Sequence, residues 1–266
     1  MPFARELQEA LVAAEAAARF VAAEYETFVA IPDAPAHITT HADRGAQEII
    51  LKHLRAAFPD YGLCAEEATD GLIGAPANTD RLWVVDPIDG TKGFAIKNGE
   101  FSIMVGLTVG GESVVGVVWE PSTNRVTYAS KGDGCFTRVG TAAPSRCRVT
   151  TVATLAEATI TQSHAKFGKP KPVVVKLQPG KVIETYSAGI KLAQVARGVC
   201  DLYVNDYPEF HDWDVCAGHV LVTEAGGTVS EFNAGPVQYG RVGAKRKGGL
   251  VATNGALHAE TLRKLA

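Results

Sequence analysis

The chain has 266 residues, 46% of them hydrophobic, enough apolar material to bury one large core or two smaller ones that share an interface. Its 26 basic and 29 acidic residues leave a formal net charge of -3, which gives no electrostatic case for a nucleic-acid polymer as partner and leaves small anionic substrates open. Five cysteines, Cys64, Cys135, Cys147, Cys200 and Cys216, are odd in number, scattered and without a C-x-x-C pair, an argument against a disulfide framework or a zinc site and for a reducing cytoplasm.

From Phe3 to Val29 there is no glycine or proline, and Leu7, Leu11, Ala14, Ala18, Val21 and Tyr25 recur at helical spacing. This predicts a long amphipathic helix ending near Pro32. Charges from Arg5 to Glu26 interrupt the Ala-rich stretch, so no apolar segment stands out as a signal peptide or membrane span, and a soluble chain without a membrane partner is expected. A second helix follows, with Asp43 placed to cap it, Ile49, Ile50, Leu54 and Phe58 on its buried face, and Pro59 as its stop.

An apolar run from Trp83 then meets Asp86, Pro87, Ile88, Asp89, Gly90 and Thr91. A strand ending at Asp86 puts that carboxylate at the sheet edge, Pro87 blocks further ladder pairing, and Gly90 lets the backbone turn back. Two ionised carboxylates about 5 Å apart repel by roughly 3 kcal/mol at an effective dielectric of about 20, so the pair calls for a cation. Oxygen ligands select a hard one, Mg²⁺ first. Thr91 stands where a strand-to-helix turn presents its hydroxyl and the N–H groups of Gly90 and Thr91 as an anion site; a plain helix cap is the simpler reading.

Hairpin-linked antiparallel strands are predicted at 101–109, 114–119 and 126–129, and Gly132-Asp133-Gly134 reads as a hairpin turn. The second half has another texture. Short strands at 158–161, 173–177, 202–205 and 249–252 alternate with helices near 189–197, 214–225 and 255–265. A soft boundary falls at 145–155, dividing the chain into 1–148 and 149–266, with a site expected at the seam. Two further acidic signals, Glu66-Glu67 and Asp214, read in isolation as a solvated loop pair and a helix cap. Lys245-Arg246-Lys247 is either a solvated loop or an attractor of anionic substrate.

Taken together, the segments Asp86 to Thr91 and Trp213 to Gly218 resemble the D-P-I/L-D-G-T and W-D-x-A-A/G-G/A motifs of the inositol monophosphatase superfamily of lithium-sensitive phosphomonoesterases, the second with Cys216 as a departure. Ala42-Asp43, Glu66-Glu67 and Glu224 to Gly227 match in order and spacing, so the resemblance covers nearly the whole chain. It implies a layered α-β-α-β-α sandwich, with an N-terminal α+β half carrying an antiparallel sheet and a C-terminal α/β half. It also implies two or more Mg²⁺ ions on Glu66, Asp86, the Ile88 carbonyl, Asp89 and Asp214. Catalytic roles fall to Glu66 and Thr91, which orient and deprotonate a water held by the metals, with Asp43 in support, and a homodimer is expected.

The substrate set implied is Asp89, Gly90, Thr91, Lys191 and Asp214. Lys92, Phe94, the stretch Asn98 to Phe101, Ser163-His164 and Lys191 look most like the bacterial 3'(2'),5'-bisphosphate nucleotidases, which favours 3'-phosphoadenosine 5'-phosphate as substrate and a second phosphate on Lys191. Lys191 as an exposed helix residue is the competing reading. Against the inositol phosphatase branch, the stretch 206–212 of this chain lacks the acid with which that branch grips the inositol hydroxyls, unless Glu209 or Asp212 substitutes, and sugar or histidinol phosphates stay open. A reading of another class, a non-catalytic or moonlighting binding protein on the same fold, is opposed by the intact acids at 66, 86, 89 and 214.

Overall fold

A computed structural model describes residues 2–266 except 36–37, 78–79, 166–168, 208–209, 241–244 and 247. Helices α1 (Ala4–Thr27) and α2 (His41–Ala57) precede strands β1 (Gly62–Ala65) and β2 (Arg81–Asp89), helix α3 (Thr91–Ala95), and strands β3 (Ser102–Val109), β4 (Glu112–Glu120), β5 (Arg125–Ser130), β6 (Gly134–Val139) and β7 (Ser145–Arg146). These seven strands pair in chain order; β1 runs parallel to β2 and every later neighbour is antiparallel. The predicted antiparallel sheet is therefore present, with a parallel strand added at one edge.

The remaining elements are β8 (Thr159–Gln162), α4 (Pro172–Leu177), β9 (Lys181–Glu184), α5 (Ala188–Ala196), β10 (Leu202–Asn205), β11 (Phe210–His211), α6 (Cys216–Glu224), β12 (Thr228–Ser230), β13 (Lys245–Arg246), β14 (Leu250–Thr253) and α7 (His258–Leu265). Five of the strands form a mixed sheet in the order β12-β14-β10-β8-β9, with β8 parallel to both β9 and β10. Residues 173–177 are a helix, where a strand was expected. Pro172 sits in its first turn, where a missing N–H costs nothing. Val173 and Leu177, four apart, both bury their side chains, a pattern that suits a helix better than a ladder. The neighbouring sheet edge is instead taken by β9, a half-exposed strand whose apolar residues are only Val182 and Ile183.

The layers follow from side-chain parity. In β2, Trp83 and Val85 pack against α1 and α2, while Leu82 and Val84 pack toward α5 and α6, the two-residue period of a strand buried on both faces. Behind α5 and α6 lies the second sheet, and α4 and α7 cover its outer face through Val173, Leu177 and Leu257. The result is the five-layer α-β-α-β-α sandwich. Two glycines set how closely its central layers approach. Gly106 of β3 and Gly116 of β4 are register partners. A Cβ at Gly116 would stand 2.1 Å from the Ala217 carbonyl oxygen, and one at Gly106 would stand 2.7 Å from Cys216 Sγ. The first turn of α6 therefore rests directly on the sheet backbone, and Asp214, two residues before it, is carried down to the strand that bears Asp86.

Candidate active site

Asp86 continues the parity of Leu82 and Val84 and faces the central helical layer. Beyond it the strand does not stop, contrary to the expectation drawn from Pro87. Asp86 pairs with Met104, and pairing resumes at Asp89 with Ser102, so β2 contains one extra residue. That bulge shifts the side-chain phase. Ile88 points into the α1/α2 core while Asp89 turns to the same face as Asp86. Gly90 then takes a left-handed conformation, φ 87°, where any Cβ would also meet the Glu100 carbonyl at 2.7 Å, and α3 begins at Thr91.

Each acid is held by a different element. Asp89 Oδ2 accepts from the Ser187 hydroxyl and from Gly189 N–H at 2.6 Å, and so lies against the N-terminus of α5, where the helix dipole favours its charge. Asp214 Oδ2 accepts from His211 N–H at 2.5 Å. It is not the cap of α6, which starts at Cys216 without a side-chain cap. Glu66 follows β1, its N–H bonded to the Val85 carbonyl. The loop is clamped by Gln47, whose amide donates to the Glu67 carbonyl at 2.6 Å and accepts from Glu67 N–H at 2.9 Å. Asp43 is likewise not the cap of α2: Thr40 is, and Asp43 completes a capping box by accepting from Thr40 N–H and Oγ1 at 2.7 and 2.6 Å. Its other oxygen accepts from Thr91 Oγ1 at 3.0 Å, and the Ile88 carbonyl lies 2.9 Å from the same hydroxyl.

Carboxylate oxygens of Asp86, Asp89 and Asp214 all lie within 4.8 Å of one another. The crowding raises their proton affinities. Asp86, fully enclosed, is pushed well above the usual carboxylate range by burial and by Glu66, Asp89 and Asp214; burial and Asp89 push Asp214 up to about 7. Asp89 is raised by burial despite the donors from Ser187 and Gly189. Glu66, at the exposed rim, rises to about 8 through loss of water around its carboxyl and the charge of Asp214. Asp43 rises to about 6 through burial, against the hydrogen bonds from Thr40 and Thr91. Among the described residues, Asp86 Oδ1 is buried with no hydrogen-bond partner. An all-oxygen donor set with surplus negative charge and an orphaned carboxylate oxygen fits a hard divalent cation.

The sequence model of the inositol monophosphatase family matches residues 3–266. The chain belongs to this family. A Thermotoga maritima fructose-1,6-bisphosphatase/inositol-1-monophosphatase is 32% identical over 85% of this chain and 81% of its own length. A Mycobacterium tuberculosis histidinol-phosphatase is 31% identical over 85% and 84%. Among solved structures, an inositol monophosphatase from Anabaena superposes with a TM-score of 0.81 at 26% identity, covering 100% of this chain and 96% of the other. The protein is thus a phosphatase of the inositol monophosphatase family, a metal-dependent group, and the buried acidic triad is its candidate metal centre.

Other residues singled out from the sequence are placed differently within this family member. Lys191 is 1% exposed, which overturns its reading as an exposed helix residue. Its ammonium donates to Ser163 Oγ and to the Tyr186 carbonyl, both at 2.9 Å. Burial lowers its pKa to about 8, opposed by the charge of Asp89. Asp212 is buried and accepts from Gly240 N–H at 2.8 Å. Glu209 and Lys247 lie outside the described residues, as do the side chains of Lys245 and Arg246. Sequence reasoning gave no role to Thr40, Gln47 or Ser102, nor to Ser187 as the anchor of Asp89. Ser187 carried a usable signal, a serine directly before a helical run, and it caps α5 by accepting from Ile190 N–H.

Proposed function

We propose that this phosphatase is a Mg²⁺-dependent, lithium-sensitive phosphomonoesterase that hydrolyses its ester by direct attack of water. The observation that carries the reading is the convergence of Asp86, Asp89 and Asp214 beside the Thr91–Asp43 hydrogen bond. Glu66, Asp86, the Ile88 carbonyl, Asp89 and Asp214 would hold the ions. When bound, Mg²⁺ supplies positive charge that stabilises the phosphoryl and leaving oxygens and makes water more acidic. Thr91 Oγ1, while donating to Asp43 Oδ1, keeps lone pairs free to accept from the attacking water. Asp43, with a pKa near 6, is then placed to take the proton that the threonine passes on. Glu66 at the rim orients the same water, and the leading N–H groups of Gly90 and Thr91 face the phosphate.

For the leaving group, a small polyol or sugar phosphate ranks above 3'-phosphoadenosine 5'-phosphate. Lys191, the residue that favoured a nucleotide's second phosphate, already spends two of its donors inside the protein, and the named activities of the two curated relatives are on compact phosphate esters. On the same footing we take 1–148 and 149–266 as two halves that share the site; the homodimer rests on family resemblance alone, and the cytoplasmic location on the scattered, odd-numbered cysteines. The test is phosphate release from inositol 1-phosphate, fructose 1,6-bisphosphate, histidinol phosphate and 3'-phosphoadenosine 5'-phosphate, with Mg²⁺, with added Li⁺ and with EDTA. Activity should vanish in EDTA, and Asp89→Asn should lose at least about a hundredfold in turnover. Full activity in either case refutes the mechanism, and a kcat/KM highest for the nucleotide restores the nucleotidase reading.

A further inference from the structure

At the far end of the first sheet, outside the acidic site, two thiols meet. Cys135 lies in β6 and Cys147 directly follows β7. The ladder pairs Phe136 with Arg146 and Thr137 with Ser145, so Cys147 stands opposite Cys135, and its N–H donates to the Cys135 carbonyl at 2.8 Å. Hydrogen-bonded partners on antiparallel strands have Cα atoms about 5.5 Å apart, inside the separation of about 4.4–6.8 Å that a disulfide spans. Directly opposed residues also project to one face, and the Cys135 thiol donates a hydrogen bond to the Cys147 sulfur.

The two sulfurs differ in access and charge. Both side chains are buried, Cys135 at 0% and Cys147 at 4% exposure, but of the two Cys147 lines a cleft of about 260 Å³ together with Arg146, Arg148, Thr223 and Glu224. The hydrogen bond from Cys135 holds the Cys147 thiol below its ordinary value, aided by the charges of Arg197 and Arg125. Burial pushes Cys64 and Cys200 the other way, each up to about 12. A nucleophilic thiol needs thiolate character and an approach for its oxidant, and Cys147, though buried, borders that cleft.

We propose that Cys135 and Cys147 are a dithiol site for hydroperoxides, in which Cys147 attacks, Cys135 resolves, and the pair closes reversibly to a disulfide. In the first step the Cys147 sulfur attacks the terminal peroxide oxygen. The S–O bond forms, the O–O bond breaks, and the departing oxygen leaves as water or alcohol after taking a proton. In the second step the Cys135 sulfur attacks the Cys147 sulfenic acid. The S–S bond forms, the S–O bond breaks, and hydroxide takes the Cys135 proton to leave as water. Two thiols are oxidised and one peroxide is reduced. Such a labile crosslink is distinct from a disulfide framework. It would tie β6 to the segment through which the chain passes into the second sheet.

The test uses the full-length reduced protein in Mg²⁺ buffer, treated with stoichiometric hydrogen peroxide and read by intact mass and peptide mapping. The expected result is a loss of about 2 Da per chain, a single linked peptide pair joining Cys135 to Cys147, and full reversal by dithiothreitol. Iodoacetamide should label Cys147 at least about tenfold faster than Cys64. In Cys135→Ser, Cys147 should gain about 16 Da and become reactive to dimedone. Retention of all five thiols, a link involving Cys64, Cys200 or Cys216, or equal labelling of Cys147 and Cys64 would overturn the proposal. The wild-type readouts do so whether or not the variant folds.

Discussion

Replacing Gly116 by alanine tests whether the close approach of α6 to the first sheet positions the metal centre. The added Cβ would lie 2.1 Å from the Ala217 carbonyl oxygen and 2.6 Å from Val220 Cγ1. The carbonyl cannot swing away cheaply, because Ala217 is helix backbone and the Ser113 hydroxyl pins the adjacent Cys216 carbonyl at 2.8 Å. Restoring ordinary contact, about 3.4 Å or more, requires α6 to retreat by at least about 1.3 Å. Overpacking of this kind costs about 1–3 kcal/mol, which for a chain of this size lowers Tm by roughly 2–10 °C. The displacement also reaches Asp214, and a misplacement of about 1 Å in a catalytic group can cost a hundredfold. Thermal melts with and without Mg²⁺, together with phosphate release titrated against Mg²⁺, measure both effects. The variant should remain folded by circular dichroism, melt lower, and need more Mg²⁺ for half-maximal rate. A Tm and a Mg²⁺ midpoint equal to wild type would refute the claim that the paired glycines set the position of Asp214.

Thr91→Ser should retain most of the rate because it keeps the hydroxyl bonded to Asp43, whereas Thr91→Ala should lose roughly a hundredfold in kcat; equal rates for the two would remove the hydroxyl from the mechanism. Arg197 donates to Glu120 and to Thr127 Oγ1, and both charged side chains are only 10% exposed. Arg197→Met should therefore cost about 3–5 kcal/mol by stranding Glu120, and Glu120→Gln in the same chain should recover much of it in urea melts. His258 bonds Ser230 and Thr253 through its two ring nitrogens, and burial depresses its pKa. Because the unfolded chain takes up that proton first, stability is fully present above about pH 6.5 and falls as pH drops toward the depressed folded value. Urea midpoints measured across that window should fall less steeply in His258→Gln, and an unchanged slope would count against the assignment.

Much of the site is legible in the sequence because its ligands are compact and local. Asp86 and Asp89 sit three residues apart, and Pro87, Gly90 and Thr91 announce a special turn. The turn's conformation nevertheless differs from that reading. Pro87 reads as the end of pairing, yet the strand absorbs it in a bulge and pairs again at Asp89, and that bulge brings both carboxylates to one face. Asp43 and Asp214 read as helix caps because single-sequence reasoning assigns an acid near a helix start to its nearest orphan N–H groups. In the fold Thr40 takes the first role, and His211 N–H holds Asp214. The segment 173–177 reads as a strand because Val173-Val174-Val175 has β propensity, and packing of Val173 and Leu177 on the outer face of the second sheet overrides it.

Residue types and their order set the chemistry: which acids exist, which are adjacent, that their mutual repulsion needs a cation, and that long apolar alternation would build sheets covered by helices. Tertiary structure alone decided how residues some forty to one hundred positions apart meet. Ser187 and Gly189 reach Asp89 across the seam, Asp43 reaches Thr91, and Gly106 and Gly116 let α6 deliver Asp214. It also decided that Lys191 lies buried behind the site and that Cys135 and Cys147 face each other. Charge and hydrogen-bonding capacity belong to residue types and are present in any chain that contains them. Distance and desolvation, which convert those capacities into metal affinity and shifted proton affinities, exist only after the layers have packed.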